Sequence, residues 1–265
     1  MEIAALGEMA KRIRRHIIEM IYEAKSGHPG GSLSCVEMLV SLYFYKMNYN
    51  PKNPKWPDRD RFILSKGHGA PALYAVLAEA GFFPVSELKT LRKLDTRLQG
   101  HTSTDVPGVE APTGSLGMGL SVGNGMALAA RLDKKQYHVY VLLGDGELQE
   151  GNVWEAAMSS VHYNLDNITA IIDRNRVQQT GFTENIMKLE PLEEHWKGFG
   201  WDVFRVDGHS IKEIIRALDA ESKKPKVIIA DTVKGKGVSF MENKHEWHGV
   251  APNEDQFKKA MEELS

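Results

Sequence analysis

The chain has 265 residues, 42% hydrophobic and 26% charged, enough to bury one sizeable core in a single domain spanning residues 1–265. A net charge of −2 offers no field to recruit nucleic acid or an anionic membrane, and no apolar run approaches the roughly 18 residues of a membrane-spanning helix. The one cysteine, Cys35, excludes an internal disulfide and a thiolate metal cluster, and fits a reducing cytoplasm.

In chain order, the N-terminal third reads as mostly helical. Ile13, Ile17, Met20, Ile21 and Ala24 form an apolar stripe, so the basic run Lys11 to His16 is expected on the solvated face of that helix. SCVEMLVSLYFY reads as a second helix with Cys35 buried as a small apolar side chain. After the punctuation NYNPKNPKWPD, RFIL (61–64) is a short strand leading into SKGHG. TGSLGMGLSVGNGMALAARL (113–132) is a loop entering a helix whose Gly119, Gly123 and Ala127 permit close packing of a neighbour.

Strands and helices then alternate. HVYVLL (138–143), ITAIID (168–173), DVFRV (202–206) and KVIIADT (226–232) read as strands. GNVWEAAMSSVHY (151–163) and SIKEIIRALDA, the latter capped by Ser210, read as helices. The last helix is DQFKKAMEEL. This order predicts an α/β fold, a parallel β-sheet flanked by helices with right-handed crossovers.

Ligands of such sheets collect beyond the carboxyl ends of the strands. There LLGDGELQEGN raises a contradiction, because a glycine-rich turn suited to phosphate carries three acidic residues. It is neither G-x-G-x-x-G nor a P-loop. Asp145 follows one strand and Asn175, thirty residues on, follows the next. If those strands are neighbours, two hard oxygen ligands meet at one edge, suited to Mg²⁺ or Ca²⁺. A divalent ion bridging Asp145 to a phosphate would account for the loop's charge, with Gly144 and Gly146 letting the backbone approach. Glu147 has no assigned partner and is expected to face solvent.

Four histidines sit beside glycine, in SGHPGG (His28), SKGHGAP (His68), QGHTST (His101) and EWHGV (His248). They lack zinc-site spacing, and neutral imidazoles next to glycine can contact phosphate or exchange protons with a ligand. His209 in VDGHS and His195 in PLEEHWKGF read as structural.

Together SGHPGG, DRFILSKGHG, QGH, TGSLGMG, GDGELQEG, DRN, VDGH and the terminal HG resemble the thiamine-diphosphate-binding half of transketolase, over nearly the whole chain. The resemblance implies a thiamine-diphosphate-binding fold with thiamine diphosphate and Mg²⁺ (or Ca²⁺ or Mn²⁺) as cofactors. It makes Asp145, Asn175 and the Val177 carbonyl metal ligands. His68, the Gly146 amide and His248 would contact the diphosphate, with Gly144 in the same loop, and Gly114 and Leu116 would lie against the rings. His28, His101 and His248 would face the sugar. Glu150 and Glu155 match acidic residues that lie between the two active sites of the family's dimer. Two departures stand out: Ser115 replaces a common proline, and Arg174 precedes Asn175 where an acidic residue is common, adding no carboxylate. A full transketolase chain is more than twice as long. The resemblance therefore implies the N-terminal subunit of a split transketolase, with a truncation or fragment of a longer chain as the alternative, transferring a two-carbon ketol unit between sugar phosphates as in the pentose phosphate pathway. A separate C-terminal subunit carrying the pyrimidine-binding domain would complete it, in a dimer of heterodimers. A related thiamine-dependent enzyme acting on a modified sugar or a 2-oxo acid, and a non-catalytic metal- or nucleotide-binding module, are the alternatives.

Overall fold

The computed structural model describes residues 2–265. Its sheet begins with β1 (Arg61–Leu64), β2 (Val139–Gly144) and β3 (Ile168–Arg174). A two-stranded antiparallel ribbon, β4 (Val177–Gln178) and β5 (Gly181–Phe182), follows β3 directly. β6 (Asp202–Asp207) and β7 (Lys226–Asp231) complete the main sheet in the order β1-β2-β3-β7-β6, every pair parallel.

The central strands are buried along nearly their whole length, as continuous apolar, β-branched sequences demand when both faces are covered. Alternation divides the core in two. Tyr140, Leu142, Ile171 and Ile228 point to one side, where α1 (Ile3–Ala24), α2 (Pro29–Leu33), α3 (Val36–Ser41) and α4 (Ala70–Glu79) pack. Val141, Leu143, Ile172 and Ile229 point to the other, under α5 (Met118–Leu132) and α6 (Gly151–His162). Each such fully buried aliphatic side chain contributes about 1.5–3 kcal/mol relative to exposure. The short α7 (Thr183–Ile186) follows the β4–β5 ribbon, α8 (Leu192–Phe199) continues the second layer, and α9 (Ile211–Asp219) and α10 (Glu254–Glu263) close the first.

The helix ends follow local chemistry. The Ser210 side chain accepts from the Glu213 amide at the start of α9, and Asn253 with Gln256 forms a capping box on α10. Gly119 and Gly123 let α5 lie close on the sheet: a Cβ at Gly123 would stand 2.7 Å from the Val141 side chain. The small-residue repeat is thus tight internal packing.

Three expectations change. The SCVEMLVSLYFY helix is α3 followed by a π-helical turn over Leu42–Lys46, with Cys35 buried as anticipated. The basic run is not wholly a solvated face, because Arg14 is buried and pairs with Glu37 at 2.7 Å. His209 does more than shape a turn: Nδ1 bonds the Glu37 carboxylate at 3.1 Å and Nε2 accepts from the Val233 amide at 2.8 Å. No described helix is long and apolar enough to cross a membrane.

Candidate cofactor and substrate site

β2 and β3 are neighbours with Gly144 opposite Asp173, so Asp145 and Asn175 leave the sheet at the same edge. The chain after β3 folds back onto Asp145: its Oδ2 accepts from the Arg176 amide at 2.6 Å and its Oδ1 from the Gly146 amide at 2.7 Å. Asn175 Oδ1 accepts from the Val177 amide at 3.0 Å, and the Val177 carbonyl accepts from Lys234 Nζ at 2.8 Å. A carboxylate, an amide oxygen and a main-chain carbonyl thus share one rim, the hard-oxygen set that Mg²⁺ or Ca²⁺ takes. Among the described residues no three His, Cys, Asp or Glu side chains converge as a metal cluster, so an ion there would rely on this mixed set.

Part of the loop's acidity is met from within the chain, by a partner the sequence alone did not reveal. Arg174, expected only to replace a carboxylate, is fully buried, with Nη1 3.0 Å from Asp145 and Nη2 2.7 Å from Glu184 and 3.1 Å from Glu190. Burial and the Asp173 charge raise the Asp145 pKa, and Arg174 opposes them. Lys66 is buried and ion-paired with the buried Asp173, and its Nζ also donates to the Gly31 carbonyl at 2.7 Å. Lys234 reaches His248 Nδ1 at 2.9 Å, and burial together with the Lys66 charge draws its pKa down to about 8. Arg174 thus pairs directly with Asp145, and Lys66 and Lys234 place further positive charge near it. Both lysines lie just beyond strand ends, in SKGHG and TVKGK. The rule that ligands gather there would have found them.

Glu147 does not face solvent: it is 3% exposed and hydrogen-bonded. Burial raises its pKa, against the bonds from Ser65 and the Gly117 and Gly144 amides. With Gly144, Asp145, Gly146, Asn175, Val177, Lys66 and Lys234 it lines a cleft of about 240 Å³.

His68, His248 and Leu116 are shared between that cleft and an outer mouth of about 530 Å³, which His28, His101 and Gly114 also line. The four histidines named from the sequence therefore meet. Ring centroids lie 5.5 Å apart for His28–His68 and for His28–His248, 6.0 Å for His28–His101 and 5.0 Å for His68–His248. Burial, then nearby positive charge, draws His28 down to about 4 and His248 to about 3 and lowers His68 and His101, so all four are neutral near pH 7. His28 Nδ1 is buried without a hydrogen-bond partner. Glu150 is exposed on the cleft rim, and Ser115 is exposed beside Leu116. Glu155 is exposed on α6 and lines neither cavity, so the structure does not bring it to the site. His245 borders the mouth, while His195 lies apart against Trp154.

Residues 6–265 match the family described as transketolase, thiamine diphosphate binding domain. The chain is 46% identical over 268 residues to one of the subunits of the apulose-4-phosphate transketolase of Phocaeicola vulgatus, covering 100% of this chain and 95% of that one. It is 45% identical to a 6-deoxy-6-sulfo-D-fructose transketolase subunit of Clostridium sp., covering 98% and 96%. The crystal structure of transketolase from Campylobacter jejuni superposes with a TM-score of 0.94 at 34% identity, and this chain covers 43% of its length. The strand-end oxygens, the buried lysines and the histidine mouth thus sit in a chain that belongs to the transketolase family, as its thiamine diphosphate binding domain.

Proposed function

We propose that this chain is the diphosphate-binding subunit of a two-chain, cytoplasmic transketolase, which moves a two-carbon ketol unit from a ketose to an aldose. The observation that carries this reading is the junction of two cavities, one lined by Asp145, Asn175, Lys66 and Lys234, the other by four neutral histidines. That pairing fits an anionic head with an attached ring reaching toward a polyhydroxyl substrate. Asp145, Asn175 and the Val177 carbonyl would hold Mg²⁺. His68, His248, the Gly146 amide and the two lysines would hold the diphosphate, and Gly114 and Leu116 would lie against the rings. When bound, thiamine diphosphate supplies the carbanion-stabilising ring that the ketol transfer needs. His28, His101 and His248, being neutral, can each accept or donate a proton at a sugar hydroxyl.

The partner would be a separate subunit carrying the pyrimidine-binding domain, in a dimer of heterodimers with Glu150 and Glu155 turned toward the neighbouring site. The two relatives named for apulose 4-phosphate and 6-deoxy-6-sulfo-D-fructose favour a modified ketose with a terminal anion as donor over an ordinary pentose phosphate. Calorimetry with thiamine diphosphate and Mg²⁺ tests the site: Asp145→Ala should abolish metal-dependent binding, and unchanged binding would remove the metal assignment. Ketol transfer by the reconstituted two-chain complex, with ketose phosphates, sulfosugars and pyruvate compared as donors, tests the substrate class. Robust transfer by the single chain would refute the split arrangement.

A further inference from the structure

Glu147 comes from the turn after β2, and its one carboxylate ties three segments together. Oε1 accepts from the Gly117 amide at 2.8 Å and from the Ser65 hydroxyl, and Oε2 accepts from the Gly144 amide at 2.9 Å. Ser65 in turn accepts from the Gly119 amide at 3.2 Å. Every group meeting Glu147 is a donor, so an acceptor-only side chain satisfies all three, and an amide would set a hydrogen against at least one.

The segments differ in how much else holds them. Gly144 is fixed in the β2–β3 ladder, and Asp145 has its own bonds to Gly146, Arg174 and Arg176. Ser65 is held through its amide, bonded to the Leu142 carbonyl at 2.8 Å. The 114–117 loop has no such support: among the described residues, its one main-chain hydrogen bond to a distant part of the chain is Gly117 to Glu147.

We propose that Glu147 is a positioning residue of the cofactor site, setting the distance between the loop of Gly114 and Leu116 and the Gly144–Gly146 loop. Resting on the proposed thiamine diphosphate reading, it assigns Glu147 no contact with the cofactor. Its action is to hold the ring-side loop at a fixed height above the diphosphate side before anything binds, so that a two-ended ligand need not order that loop itself.

The test is isothermal calorimetry on the purified chain with two probes, Mg²⁺–thiamine diphosphate and Mg²⁺–inorganic diphosphate, joined to hydrogen-exchange mass spectrometry of the 113–120 segment. Glu147→Gln should weaken thiamine diphosphate by roughly 10–100-fold, the range for loss of an outer-shell tie, while inorganic diphosphate changes by less than about threefold. Exchange in the 113–120 segment should rise without ligand. If Glu147→Gln fails to fold, Ser65→Ala removes one donor and keeps both amide bonds, and should show the same selective loss at smaller size. Equal losses for the two probes, or thiamine diphosphate bound as tightly as by the wild type, would overturn the proposal. Wild-type protein that binds neither probe would instead remove the cofactor reading, and the positioning role with it.

Discussion

Replacing Lys66 by Met should strip the buried Asp173 of its counter-charge while keeping an unbranched chain of similar length in the space. Lys66 and Asp173 are 1% and 0% exposed, so neither can turn to water when its partner is lost. Leaving one member of a buried pair uncompensated costs roughly 3–5 kcal/mol. Asp173 keeps donors in Ser34, Thr232 and the Asn175 amide, which places the expected loss near the lower figure, about 3 kcal/mol. For a chain of this size that corresponds to a Tm drop of about 6–12 °C. A pH signature accompanies it. In the wild type, burial raises the Asp173 pKa, but Lys66 and the hydrogen bonds win and hold it below the usual carboxylate value. In Lys66→Met burial outweighs the hydrogen bonds that remain, so the folded-state pKa rises above the unfolded one and stability is lost as pH climbs through it. The gap between variant and wild type should therefore be wider at pH 8 than at pH 5, and adding Asp173→Asn should narrow it at pH 8. Urea titrations followed by circular dichroism at both pH values measure this. A variant within about 1 kcal/mol of wild type at pH 8, with an unchanged pH slope, would refute the reasoning, since a pair removed from water cannot lose one charge so cheaply.

Two further outcomes follow from other buried contacts. Burial, with the charges of Lys226 and Lys46, draws the His138 pKa down to about 3, below its unfolded value of 6.5. Its stabilising contribution is therefore complete above pH 6.5 and lost as pH falls toward 3, about 2 kcal/mol by pH 5. His138→Gln should flatten the pH 5–7 slope of unfolding free energy, and an identical slope would count against the burial argument. In α5, a Cβ at Gly119 would stand 2.4 Å from Ser65 Cβ and 2.9 Å from its Cα, whereas one at Gly125 meets nothing within 4 Å. Gly119→Ala should lower stability by about 1–3 kcal/mol and Gly125→Ala raise it by about 0.5–1 kcal/mol, both read from thermal melts. The same sign for both would contradict the packing.

What was legible in the sequence was whatever depends on local order. β2, β3 and β7 announce themselves because strands covered on both faces are continuous apolar runs, and the rule that ligands lie beyond strand ends led directly to Asp145 and Asn175. The histidines could be named because glycine flanks each of them. Their meeting could not, since it depends on four loops that only the folded sheet gathers. Charge partners were the least legible. Lys66 and Asp173 are 107 positions apart, Glu147 and Ser65 82 apart, and nothing local distinguishes Glu147 from a solvated carboxylate. Arg174 illustrates the same limit from the other side: by sequence it only takes the place of a carboxylate, yet it is the buried cation on which Asp145 rests.

The distribution of order across the site has a functional consequence. At the proposed diphosphate end, Lys66, Lys234, Asp145 and Asn175 are all buried and hydrogen-bonded, so their geometry is set by the single chain. At the proposed ring end the surface stays open, with Leu116 37% and Met118 47% exposed. Large apolar side chains stand exposed in other segments as well, among them Val122, Met158, Phe182 and Met187. Exposed apolar residues in this number are rarely left to water when they form a contiguous patch. If the second subunit covers the ring end, the two steps separate. The diphosphate would be gripped by groups already in place in this chain, whereas the transfer would wait for the partner to exclude water from the mouth. Affinity for inorganic diphosphate should then be nearly the same with and without the partner, while affinity for the whole cofactor rises when the partner is added.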